Sequence, residues 1–350
     1  MDAELPYPLP PAPEPPPPSA APAPREPAWS GLELVALILL TLAAIAAVTL
    51  IVALTWAIGI RVGGAGTQAP HELQVVSLVL AGQTGGFLIG FLLAWLVIAH
   101  LRGARFWKAI HWRWLHAEQV LALLAGGAAM MIVVQVLSHV LPMPSTVPMD
   151  QLFTPRTAWI LVIYGVGIAP FFEEFFFRGL IYPTLRATFS EGVTRQELRP
   201  WRPLVRVVAA LATLGIAAWH WRMTVLAPGL KPGGGDWTVA LIVALVILAA
   251  PDVLILAVGW GLNQMARWGR AELLAIGFTG LLFGLMHAAQ LGWAWAAVLI
   301  MVLVGIVLTA VRAATGSLTA SWLFHCAYNG TLFAAQYVAT RGFHNFSGLH

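Results

Sequence analysis

Charge is what this 350-residue chain has least of. Asp, Glu, Lys and Arg make up 10% of it, where soluble domains carry about 25%. So little polar surface cannot coat a water-soluble globule of this length. Hydrophobic residues reach 59%, and mean hydropathy is +0.80. Cysteine is nearly absent too. The one thiol, Cys326, excludes a disulfide framework and a cysteine-based zinc site. No basic segment precedes a short apolar run at the start, which argues against a secretory leader. Internal repeats are also missing, and with them the paired-repeat pattern of many transporters.

What the chain has is long apolar runs. Leu34–Ile60 holds no charge at all and exceeds the ~20 residues a helix needs to cross the hydrocarbon core. Further runs occupy about 74–99, 117–141, 157–182, 203–221, 238–261, 273–291, 293–311 and 318–340. In lipid the backbone must satisfy its own polar groups, so such runs are helices. The expectation is an all-α, polytopic transmembrane helical bundle of 8–9 spans. The 203–221 run is the weakest, because it contains Arg206 and His220. Gly82, Gly86 and Gly90 recur every four residues on the second run and give it a smooth face for close packing.

The first 30 residues differ in kind, holding 12 of the 24 prolines. Proline cannot donate helical hydrogen bonds, and the segment has little to bury. It reads as a disordered cytoplasmic tail. Three helices would follow at 31–141, then a core at 142–340 with an inserted helical pair near 200–262, then a tail at 341–350. With alternating loops, Lys and Arg divide twelve to five in favour of the side that holds the N-terminus. That side is therefore cytoplasmic. An integral protein of the bacterial inner (plasma) membrane is the expected setting. The pI near 9.6 suits loops facing anionic lipid and calls for no nucleic acid.

Against this background one stretch stands out: APFFEEFFFRGLIYPTL, residues 169–185. Glu173 and Glu174 lie inside an apolar run, where each acid costs roughly 2.5–3.5 kcal/mol at a helix centre. Glu174 and Arg178 are four apart and share a helix face, so they read as an internal ion pair. Glu173 points about 100° away and has no local basic partner. Polar residues on other runs are candidates to answer it. FTGLLFGLMHAAQ carries His287, four after Phe283. TGSLTASWLFHCAYNG carries His325 and Asn329, also four apart and on one face. A carboxylate and an imidazole can activate water, and a second imidazole with a carboxamide can donate to a developing oxyanion.

Each of these residues also has a plainer reading. A lone intramembrane histidine usually bonds another helix. His100, His111 and His116, in LRGARFWKAIHWRWLH, read as an interfacial belt with its tryptophans. Asp252 can line a cavity or answer a basic group. Buried acids and histidines also serve proton- or cation-coupled transporters, and a silent scaffold would keep the fold without the chemistry.

Three patterns in order, E-E-x-x-x-R, F-x-x-x-H and H-x-x-x-N, each on an apolar run, resemble the CAAX protease and bacteriocin-processing (CPBP/Abi) family of intramembrane proteases. The resemblance covers roughly 155–335. It implies an intramembrane endopeptidase acting on a membrane-associated peptide or protein, with membrane lipid as its other partner. It implies that Glu173, with His287, activates the attacking water. His325 and Asn329 would form the oxyanion hole, and Glu174 and Arg178 would support them. No resident cofactor is implied, with a zinc ion on Glu173, His287 and His325 as the open alternative. Two features depart from the family pattern. His287 lies 114 residues beyond Glu173, where most members separate these motifs by a few tens. Counted from the ends of the runs, His287 also falls about 21 Å deep, against about 10–14 Å for Glu173 and His325.

Overall fold

The structure, a computed structural model, describes residues 27–63, 71–190 and 268–345. Every long element among them is a helix. In chain order these are α1 (Gly31–Gly63), α2 (His71–Trp95, extended by a π-helical turn Leu96–Leu101), the short α3 (Phe106–Ala109) and α4 (Ala117–Val140). Then come α5 (Ala158–Ser190), α6 (Arg270–His287), α7 (Trp295–Thr315) and α8 (Leu318–Ala339).

Seven of the nine expected runs lie in these helices. The runs at 203–221 and 238–261, Asp252 and the proline-rich residues 1–26 lie outside the described residues. Among the described residues five helices are long and apolar enough to cross a membrane: those of α1, α2, α4, α5 and α7. α6 is only 18 residues long and carries Arg270, Glu272 and His287 at its ends. α8 is punctuated by Thr319, Ser321, His325 and Asn329. Their polar residues are the reason that these two fall short on composition.

Several helix ends meet on one face. Trp29, just before α1, donates its indole N–H to Thr184 near the end of α5 at 2.9 Å. Glu33 in the first turn of α1 pairs with Arg102 after α2 at 2.7 Å. Glu272 at the start of α6 pairs with Arg186 near the end of α5, also at 2.7 Å. The chain therefore leaves α5 and enters α6 on the same face. The backbone of Leu318, at the start of α8, donates to the carbonyl of His111 at 3.0 Å.

This arrangement resolves the depth conflict. α5 continues to Ser190, well past the 182 expected from the sequence. Glu173 is then 17 residues from the end of α5, and His287 is 17 residues from the start of α6. At 1.5 Å per residue both lie about 25 Å from their common end. α8 begins deeper, after a turn through Gly316 in the left-handed conformation (φ 63°). Seven residues then suffice to bring His325 level with them.

Glycine sets the closeness of the helix pairs. A Cβ at Gly86 of α2 would stand 2.6 Å from the backbone of Ile45 in α1, and Gly82 and Gly90 abut Thr49 and Thr41. This is the smooth face read from the sequence. Gly280 and Gly305 bring α6 and α7 together, and Gly127 does so for α4 and α8. One continuous core results, from Leu34 and Leu37 of α1 through Phe175 and Leu180 of α5 to Leu308 and Phe324. The first three long helices are thus packed into the same core as the motif-bearing ones.

Candidate active site

α5 carries the two acids, and its backbone is irregular on both sides of them. Residues Ala169–Glu174 are α-helical, between π-helical segments Tyr164–Ile168 and Phe175–Ile181. In the first segment the Ala169 amide donates to the Tyr164 carbonyl, five residues back. Continuing that register, residue 170 would donate to Gly165. Residue 170 is proline and has no N–H. The Gly165 carbonyl is thus left open, and Asn329 of α8 fills it, donating from Nδ2 at 2.7 Å. π-Helical turns are enriched at functional sites. Here the proton donor missing at Pro170 leaves the carbonyl that Asn329 takes up.

Glu174 and Arg178 form the ion pair that the sequence suggested, Nη1 to Oε1 at 3.0 Å, with both side chains all but fully buried. Every edge of the guanidinium is engaged. Nη2 donates to the Gly305 carbonyl at 2.8 Å, Nε donates to Thr309 Oγ1 at 3.1 Å, and the Phe283 ring lies 4.5 Å from Cζ. Buried ions need this full set of partners. Glu174 Oε1 also accepts from His325 Nδ1 at 3.0 Å.

Those contacts fix the imidazoles. A carboxylate beside an arginine accepts, so His325 carries its proton on Nδ1. His287 Nδ1 lies 2.8 Å from the Phe283 carbonyl, which can only accept, so it too is protonated on Nδ1. Both rings then turn Nε2 toward Glu173. His287 Nε2 is 3.9 Å from Oε1, and His325 Nε2 is 3.8 Å from Oε2. Gaps of this width are too long for direct hydrogen bonds and suit one bridging water. Glu173 and His287 are 15% and 16% exposed, His325 only 4%. An apolar cavity of about 90 Å³ opens beside Glu173, walled by Thr41, Ile45, Phe176, Phe177 and Met286. Glu173 is the one acid in its lining.

Glu173, Glu174, Arg178, His287 and His325 therefore form one connected cluster. Asn329 is one turn along α8 from His325 but is bonded to Gly165, and no described hydrogen bond joins it to the other five motif residues. The sequence reading passed over Gly305 and Thr309 of α7, which hold Arg178. A small residue and a hydroxyl four apart in GIVLT share one face of an otherwise apolar helix, and that was the available signal. Gly165 left no such trace, because its role rests on its backbone carbonyl.

The donor set can be tested against a metal. A tetrahedral zinc with ligand bonds near 2.1 Å holds neighbouring ligand atoms about 3.4 Å apart, closer than the 3.8 and 3.9 Å here. Among the described residues no group of three or more His, Cys, Asp and Glu side chains converges as a metal site.

Apolar helices of crossing length around a buried polar cluster define an integral membrane protein. A family model, the type II CAAX prenyl endopeptidase Rce1-like family, matches residues 155–261 and 237–331. Together these span just over half of the chain and include all three motifs. The chain belongs to this family of membrane proteases. Comparisons with curated proteins and with solved structures found no match.

Proposed function

We propose that the chain is an intramembrane endopeptidase that hydrolyses a peptide bond with water activated by Glu173 and His287. The observation that carries this reading is the convergence of two imidazole Nε2 edges on the Glu173 carboxylate across a water-sized gap. With both Nδ1 atoms protonated, four acceptor atoms surround that gap, and water has only two protons to give. The scheme places a further proton on His325 Nε2, whose Nδ1–H is held by Glu174, so that this edge donates. Glu173 takes a proton from the water as its oxygen attacks the scissile carbonyl carbon. His325 Nε2–H and the second amide N–H of Asn329 donate to the oxyanion. Collapse breaks the C–N bond, and the proton from Glu173 or His287 goes to the leaving amine. Water is consumed, its second proton staying on the attacking oxygen, and a carboxylic acid and an amine are formed. Glu174 and Arg178 hold His325 in register.

The family description supports a prenylated C-terminal peptide as substrate class, and the apolar cavity beside Glu173 suits an aliphatic group. The reaction needs no metal in this scheme. Cleavage of a farnesylated CAAX-type peptide by the protein in proteoliposomes, read by mass spectrometry of the released tripeptide, tests this. We expect tripeptide release that is unchanged by prolonged EDTA treatment. Release that EDTA abolishes and zinc restores would replace the scheme with a metal one.

The finer architecture belongs to the same proposal. The chain spans the bilayer eight or nine times in a bacterial inner membrane, with its N-terminus in the cytoplasm. Support comes from the meeting of the α1 start, α2 end, α5 end and α6 start on the face that carries Arg102, Arg113 and Arg186. A transporter reading has no specific observation in its favour. Among the described residues the motif side chains Glu173, Glu174, Arg178, His287 and His325 gather at one site.

A further inference from the structure

Arg312 differs from Arg178, the other buried arginine among the described residues. It lies in the last turn of α7 and is 4% exposed. Arg178, equally buried, has a partner for every edge. Arg312 makes no hydrogen bond or ion pair among the described residues, and its Nε is buried without a partner. Its guanidinium stacks on the Tyr182 ring, 5.7 Å from the centroid, and the α7 C-terminus offsets part of its charge.

The neighbouring charges do not neutralise it. Among the described residues, Arg113 and Arg186 act on Arg312 repulsively, and Glu272 is the acid that attracts it. Glu272 is already committed: one oxygen accepts from Arg186 Nε at 2.7 Å and the other from the Tyr182 hydroxyl. The Arg113 guanidinium lies against the α7–α8 turn, where a Cβ on Gly316 would stand 3.7 Å from Nη1. Three cations and one acid leave a net charge of +2 around a buried, unsatisfied guanidinium. Burial of a cation is tolerated when an anion answers it.

We propose that Arg312, with Arg113 and Arg186, binds a phosphate group at the α5–α6–α7 end of the bundle. A phosphate carries the compensating charge and offers several acceptor oxygens in the geometry that guanidinium forks match. Its source is an anionic lipid headgroup or a free phosphate ion. The cluster lies on the basic face, about 14 Å of helix from Glu173 along α5, and is separate from the hydrolytic cluster. An occupied site ties α5, α6 and α7 together where their ends meet.

The test is the melting temperature of the full-length protein in a neutral detergent, followed by tryptophan fluorescence. Dioleoylphosphatidylglycerol and inorganic phosphate are titrated separately. We expect a saturable rise in Tm, lost in Arg312→Met and shifted to about tenfold higher ligand in Arg113→Gln. Arg105→Gln, elsewhere on the basic face, leaves it unchanged. The exposed Arg113 keeps the test decisive if Arg312→Met fails to fold. A response to the lipid alone assigns the headgroup, and a response to inorganic phosphate assigns the free ion. The proposal falls if neither ligand raises Tm, if Arg113→Gln responds as wild type does, or if Arg105→Gln weakens the response as much as Arg113→Gln.

Discussion

At the residue scale, two adjacent acids do different work because one helical step turns them to different surroundings. Glu174 faces Arg178 and His325 and is closed off. Glu173 faces two Nε2 atoms and a cavity and stays partly open. Substitutions should separate accordingly. Glu174→Gln leaves Arg178 buried without its counter-charge, which typically costs about 3–5 kcal/mol. Chemical denaturation or a Tm scan of the purified variant should show a marked loss of stability together with loss of turnover. Stability equal to wild type would mean that the pair is not the anchor described here. Arg178→Lys should also destabilise, because an ammonium cannot reach Glu174, Gly305 and Thr309 at once. Its Tm would check that point.

At the scale of elements, α5 shows how a break in regular structure creates a contact. Pro170 removes the amide that Gly165 would use in the π register, and Asn329 supplies the replacement. Asn329→Ala should therefore cost about 1–3 kcal/mol for the orphaned carbonyl and should also slow turnover by removing an oxyanion donor. Adding Pro170→Ala restores a backbone N–H. The double variant should regain most of the stability and none of the rate. A double variant that regains both would assign Asn329 to positioning α5 alone.

The sequence made much of this element scale legible. Seven apolar runs, the Gly82–Gly86–Gly90 face and the Glu174–Arg178 pairing were readable because spacing along a helix fixes which side chains share a face. The end of α5 was not, since Pro183 and Arg186 end the apolar pattern before the helix itself stops at Ser190 on the shared α5–α6 face. The meeting of Glu173 with His287 was readable only as a resemblance, because no local rule brings residues 114 positions apart together. Asn329's partner is a backbone carbonyl freed by a proline, and sequence patterns do not record carbonyls.

At the scale of the whole molecule, the first two long helices are part of the site's enclosure. Thr41 and Ile45 wall the cavity beside Glu173, and Trp29 ties the start of α1 to α5. With Cys326, the single and half-buried native thiol, replaced by Ser, topology is easy to probe. Cysteines introduced singly at Arg105 and at Ser145 should react oppositely in spheroplasts with a membrane-impermeant maleimide. Ser145, between α4 and α5, should label from outside, and Arg105 only after permeabilisation. The reverse pattern would invert the orientation and put the basic face outside.

The central claim is that Glu173 is the base of a hydrolytic site. The most direct measurement is the cleavage rate of the farnesylated peptide by Glu173→Gln beside wild type, with Tm recorded on the same samples. Among the described residues Glu173 accepts no fold-holding hydrogen bond, and Gln keeps its shape. The account predicts a rate loss on the order of 10³-fold or more with Tm unchanged. Cleavage by Glu173→Gln within a few fold of wild type would contradict it, and the chemistry would have to lie elsewhere in the chain.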